Sequence, residues 1–106
     1  MDMEHLMSDI RAFVKEREWG KFHSPQNLAK SIAIEASELL ECYQWDDKAD
    51  EIQVRHELAD VLTYCLLLAD KYQFDVEEIL LEKLEINRQK YPVEKSRGKS
   101  DKYDRL

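Results

Sequence analysis

Apolar positions recur every three to four residues along most of the chain, the spacing that holds them on one face of an α-helix. Leu6, Ile10, Phe13, Val14 and Arg17 keep this spacing and predict a first helix over about residues 4–18, closed by Trp19 and Gly20. Lys21, Phe22 and His23 read as a loop. Ser24-Pro25 then reads as an N-cap with proline at the first helical position, opening a second helix that runs to about Gln44. Trp45-Asp46-Asp47 is the break before a third helix from about Lys48 to Tyr72, whose second half, Val61 to Ala69, is apolar nearly all the way round. A helix of that kind is expected at the centre of a fold. A fourth helix opens at Asp75, with Glu78 three residues on as in a capping box and Phe74 and Ile79 placed as a hydrophobic staple; Pro92 ends it. Val93 to Leu106 is polar and reads as an irregular tail. The expected organisation is therefore a single all-α domain over residues 1–92, a four-helix bundle, followed by a tail over 93–106.

Composition agrees and adds two limits. Two glycines and two prolines in 106 residues, with 43% hydrophobic and 37% charged positions, fit one helical core. A chain of about this length buries only roughly 60–70% of its unfolded surface, so packing between copies is an expected supplement. The net charge of −7 argues against a nucleic-acid polymer as partner. The tail is locally basic, with five basic and three acidic side chains after an acidic body, which suits a small anionic ligand held with metal. The longest apolar run is far below the ~20 residues of a membrane span, and Met-Asp-Met-Glu-His lacks a signal-peptide pattern, so a cytoplasmic protein is expected. Cys42 and Cys65 have no zinc-ligand spacing around them and read as buried, reduced thiols.

Two acidic pairs interrupt this pattern. Residues three apart on a helix point the same way, so Glu35-x-x-Glu38 and Glu57-x-x-Asp60 each aim two carboxylates at one point. Taking ~100° per residue, Glu35 falls inside the stripe of Leu28, Ile32, Leu39 and Tyr43, and Glu57 and Asp60 share a stripe with Tyr64, Leu67 and Leu68. An unpaired ionised carboxylate there must be protonated, paired or metal-bound. Solvated surface acids are the plain alternative in a chain with 23 of them, and salt bridges from Lys30, Arg55 or Lys83 an intermediate one. Carboxylates without histidine or thiolate favour Mg²⁺, with Mn²⁺ as substitute. The absence of Glu-x-x-His counts against a di-iron bundle.

Lys83 and Asn87 fall within the apolar stripe of the fourth helix. Lys83 could reach a phosphate and Asn87 a base edge, or Lys83 snorkels and Asn87 marks a fraying end; spacing leaves both open. Trp19, Phe22, His23 and Trp45 stand at helix ends and loops, where rings could sandwich a planar base or simply fill core and interface. Gly98-Lys99-Ser100 is no phosphate-binding loop, because Val93 stands where its first glycine is needed and no strand precedes it.

Taken in order, these residues resemble the all-α nucleoside triphosphate pyrophosphohydrolases of the MazG-like superfamily, and within it the dCTP pyrophosphatase branch. Glu35-Ala-Ser-Glu38, eighteen residues, then Glu57-Leu-Ala-Asp60 is similar to the family's E-x-x-E…E-x-x-D metal signature. Trp19-Gly-Lys-Phe-His23-Ser-Pro-Gln-Asn27, Gln44-Trp45, Asp60-Val-Leu-Thr-Tyr64, Lys83-Leu-Glu-Ile-Asn87-Arg-Gln-Lys-Tyr-Pro92 and the Ser-Arg-Gly-Lys-Ser-Asp-Lys-Tyr tail carry the branch-level likeness. The resemblance implies cleavage of a nucleoside triphosphate to monophosphate and pyrophosphate. Glu35, Glu38, Glu57 and Asp60 would hold Mg²⁺ or Mn²⁺, and Glu38 or Glu41 would orient the water. Trp19, His23, Trp45 and Tyr64 would form an aromatic pocket for the base, cytosine on a deoxyribose first, with Asn87 on its edge. Lys83, with Lys99 or Lys102, would steady the pyrophosphate. It further implies a homodimer or homotetramer with sites near subunit interfaces. The short spacer between the acidic pairs leaves room for a broader substrate range. Two rivals are a phosphohydrolase releasing orthophosphate from the same ligands and a non-catalytic helical interaction module.

Overall fold

A computed structural model describes residues 2–45 and 48–105. Its elements are α1 (Met3–Glu16), a 3₁₀ turn (Trp19–Phe22), α2 (Pro25–Glu41), α3 (Glu51–Lys71), α4 (Val76–Lys90), the short α5 (Val93–Ser96) and a closing 3₁₀ turn (Tyr103–Arg105), with no strand among the described residues. The all-α expectation holds. The chain separates into two compact units, Met1–Gln73 and Phe74–Leu106, and the compositional boundary at residue 92 falls inside the second.

Local chemistry explains the helix starts. Ser24 accepts from the Asn27 amide at 3.1 Å ahead of Pro25, as its sequence predicts. Asn27 Nδ2 in turn donates to the Phe22 carbonyl at 3.0 Å, fixing the 3₁₀ turn against the start of α2. Asp75 accepts from the Glu78 amide at 2.9 Å. The third helix begins three residues later than the apolar pattern indicated, because Asp50 caps it by accepting from the Ile52 amide at 2.9 Å. The second ends at Glu41 rather than Gln44, where the Cys42, Tyr43 and Gln44 amides tighten onto carbonyls three residues back. The predicted break at Trp45-Asp46-Asp47 lies partly outside the described residues. The tail, expected to be irregular, carries α5 and a 3₁₀ turn.

In the first unit, α2 packs along α3, and α1 joins α3. Arg11 on α1 clamps Asp70 on α3 with three hydrogen bonds of 2.6–3.2 Å; at this exposure the pair fixes geometry more than it adds stability. The core of one chain is small. Among the described residues, Met7, Leu28, Leu67 and Ala69 are its buried apolar residues, and of these only Leu28, at 0% exposure, is sealed completely. Two expectations are corrected here. The apolar half of α3 is not enclosed within one chain: Leu58 and Leu62 are 44% and 53% exposed. The thiols are not both buried either, since Cys65 is exposed and Cys42 half-buried. Periodicity marks these positions as apolar but does not say what covers them.

Candidate active site

Helical spacing and the packing of α2 on α3 build the acidic cluster. Glu35 and Glu38 stand one turn apart on α2, and Glu57 and Asp60 one turn apart on α3. Among the described residues, Glu35, Glu57 and Asp60 bring one carboxylate oxygen each to within 4.8 Å of one another. Glu38, the fourth acid of the pattern, is not in that close group, yet its carboxyl is near enough to act on both Glu35 and Glu57.

The electrostatics show what this arrangement lacks. Oε2 of Glu35 and Oε2 of Glu57 are buried with no hydrogen-bond partner. The Glu35 carboxyl is pushed up to about 7, first by hydrogen bonding with Glu38, then by burial, then by the charges of Glu38, Asp60 and Glu57. Glu57 is also raised, chiefly by burial and then by Glu38 and Asp60, with Glu41 adding to the field. Acids this crowded, with orphaned buried oxygens, fit a hard divalent cation, which would satisfy those oxygens and offset the repulsion. No lysine or arginine bridges to them among the described residues, so the salt-bridge alternative finds no support.

The raised acids also fix a pH response. Glu35 stays protonated in the fold up to about pH 7 but ionises near its ordinary 4.5 when unfolded. Between those values the native state binds more protons, so stability falls as pH rises. Without divalent metal, the Tm is expected to drop between pH 4.5 and 7, and saturating Mg²⁺ should flatten the decline. A metal-free Tm that rises across that interval would contradict the assignment.

Beside the cluster lies a cleft of about 480 Å³ whose wall includes Asp60, Phe13, Trp19, His23, Tyr64 and Leu67. A second, of about 310 Å³, shares Trp19, His23 and Tyr64 with it and adds Phe22 and Asn27. Both fall within the usual range for small-molecule pockets, roughly 300–1,000 Å³. The rings are arranged edge to face: Phe13 and Trp19 are 5.6 Å apart at 78°, His23 and Tyr64 6.4 Å apart at 76°. Burial first, and then the Lys71 charge, lower the His23 pKa, which favours the neutral imidazole.

Three aromatic residues singled out in the sequence thus meet next to Asp60. The fourth, Trp45, is 89% exposed and lines none of these clefts. Lys83 and Asn87 stand on α4 in the second unit, Lys83 exposed and Asn87 half-buried. Phe13, Asp9 and Thr63 also line the larger cleft and were not picked out as functional. Phe13 looked like ordinary core, and the available signal was Asp9, a carboxylate one turn before it on the same face.

Comparison with known proteins matches this architecture. The model of the MazG-like family matches residues 30–106. dCTP pyrophosphatase 1 of Rattus norvegicus is 36% identical over 117 residues, covering 97% of this chain and 69% of the relative. The Homo sapiens protein of the same name is 34% identical with the same coverage. Among solved structures, a pyrophosphatase from Archaeoglobus fulgidus DSM 4304 superposes with a TM-score of 0.77 at 42% identity, covering 85% of this chain and 92% of that one. With its family signature, its helical architecture and its relatives in agreement, the chain belongs to the MazG-like family.

Proposed function

We propose that this nucleotide pyrophosphohydrolase cleaves a deoxynucleoside triphosphate, dCTP or a base-modified dCTP, between the α and β phosphates, and so removes surplus or modified nucleotides from the cytoplasmic pool. The observation that carries this reading is the junction of three close carboxylates with an aromatic cleft through one shared residue, Asp60. The relatives named dCTP pyrophosphatase 1 supply the substrate class.

Glu35, Glu57 and Asp60, with Glu38 as fourth donor, would hold Mg²⁺, with Mn²⁺ as substitute. Bound there, the ion supplies charge neutralisation of the triphosphate and acidification of water. The chain's own residues do the rest. The rings of Trp19, His23 and Tyr64 receive the base and thereby set the α phosphorus beside the carboxylates. Glu38 or Glu41, both of which act on Glu57, would orient the attacking water. The family resemblance assigns Trp45 and Asn87 to the base and Lys83, with Lys99 or Lys102, to the pyrophosphate. The exposed leucines of α3, together with Leu40 at 71% exposure on α2, support a homodimer or homotetramer. No helix among the described residues is long and apolar enough to cross a membrane.

The test is a panel of the eight common nucleoside triphosphates with Mg²⁺, monophosphate, pyrophosphate and orthophosphate being resolved by chromatography. Monophosphate and pyrophosphate in equal amounts, led by dCTP, is the expected result. Equal rates on all eight would remove the cytosine preference, and orthophosphate as the first product would favour the rival phosphohydrolase.

A further inference from the structure

The aromatic cleft contains two polar groups that the acidic cluster does not use, Asp9 on α1 and Thr63 on α3. Local structure fixes what each can offer a ligand. Thr63 Oγ1 lies 2.8 Å from the Ala59 carbonyl and donates its proton there, so only lone pairs are left for the cleft. The Asp9 carboxylate can only accept, and no hydrogen bond or ion pair engages it among the described residues. His23 and Tyr64, by contrast, can each donate or accept according to tautomer and hydroxyl rotation. His23 and Tyr64 therefore do not discriminate by hydrogen-bond polarity, whereas Asp9 and Thr63, as acceptors, do.

Their placement matches that of a base edge. Asp9 stands one helical turn before Phe13 on α1, and Thr63 is on α3 with Tyr64, and all four line the same cleft. A planar base seated against these rings meets acceptors at its rim. We propose that Asp9 and Thr63 select the nucleobase through its exocyclic amino group. The 4-amino group of cytosine presents two N–H donors to these acceptors, and an aspartate accepting from that amine is a standard base contact. Uracil and thymine carry a carbonyl oxygen at the same position, which would face lone pairs with no proton between them. An acceptor facing an acceptor disfavours the wrong base as a purely apolar pocket would not, most at Thr63, which is half-buried where Asp9 is exposed.

The inference rests on the cleft being the base pocket of the proposed pyrophosphohydrolase, and its test separates the two. kcat/KM for dCTP and dUTP is measured on the wild type, Asp9→Asn, Thr63→Val and Thr63→Ser, with pyrophosphate as the product followed. Binding of dCMP and dUMP, measured by calorimetry, gives a readout free of turnover. The wild type is expected to favour the cytosine compound in both assays. Asp9→Asn should lower the dCTP to dUTP ratio by about tenfold or more, because the amide can turn its NH₂ toward the carbonyl. Thr63→Val should lower the ratio and Thr63→Ser restore it. A merely structural role would slow both substrates alike and leave the ratio in place. Pyrophosphate release from dCTP with an unchanged ratio in both Asp9→Asn and Thr63→Val overturns the inference and leaves the proposed reaction standing, as does a wild type without preference. No pyrophosphate from any triphosphate overturns the reaction and the inference together.

Discussion

Asp60→Asn is expected to lower kcat/KM for the preferred triphosphate by at least about hundredfold and to abolish stabilisation by Mg²⁺, while leaving the metal-free protein as stable as the wild type or more so. The three effects have one cause. Asn keeps the shape of Asp but removes a charge from a cluster whose members already repel one another, as the upward pull of Asp60 on both Glu35 and Glu57 shows. Without metal, losing that charge is relief. With metal, it is the loss of a donor from a group whose oxygens lie within 4.8 Å of one another. A cation at about a hundred times its dissociation constant stabilises the wild-type fold by about 2.7 kcal/mol, so thermal melts with and without Mg²⁺ separate the cases. If the acids were instead structural, Asp60→Asn would lower the metal-free Tm and Mg²⁺ would move neither protein.

Leu62→Glu carries the second large effect, the expected dissociation of the proposed homo-oligomer. Leu58, Leu62 and Cys65 follow one another at helical spacing along α3, and all three are exposed in a single chain. Among the described residues four apolar side chains are buried, too few to hold 106 residues comfortably. Covering this stripe with a second copy would make up the deficit, and a carboxylate placed in it would have to be desolvated without a partner. Sedimentation equilibrium should give the wild type the mass of a dimer or tetramer and the variant that of a monomer. The variant's Tm should fall by roughly 10 °C or more, at about 4–8 °C per kcal/mol for a domain of this size. A monomeric wild type would remove the argument, and with it the account of why Val61 to Ala69 on α3 is apolar nearly all the way round.

The features legible in the sequence are those set by near neighbours. Ser24-Pro25 and Asp75 with Glu78 act within one turn, and both caps formed as their spacing indicates. The acidic pairs were visible for the same reason, three residues apart on helices whose faces periodicity had already assigned. Asp50 was overlooked as a cap because the helix was started directly after the Trp45-Asp46-Asp47 break, although the local hydrogen bond decides the start. What depends on distant chain was less visible. That Phe13 and Asp9 would share a cleft with Tyr64 follows from the packing of α1 on α3, and no spacing along the chain encodes it. Leu62 and Cys65 looked buried because they are apolar, yet one chain does not cover them. The committed hydroxyl of Thr63 needed the Ala59 carbonyl to be placed before its acceptor character could be seen.

The most direct test of the account is to let the protein hydrolyse dCTP with Mg²⁺ in ¹⁸O-enriched water and to locate the label by mass spectrometry. Attack at the α phosphorus, with the triphosphate held beside Glu35, Glu57 and Asp60, predicts dCMP carrying one ¹⁸O and unlabelled pyrophosphate, in equal amounts and absent from Asp60→Asn. Labelled orthophosphate, labelled pyrophosphate beside unlabelled dCMP, or turnover that survives Asp60→Asn would contradict it.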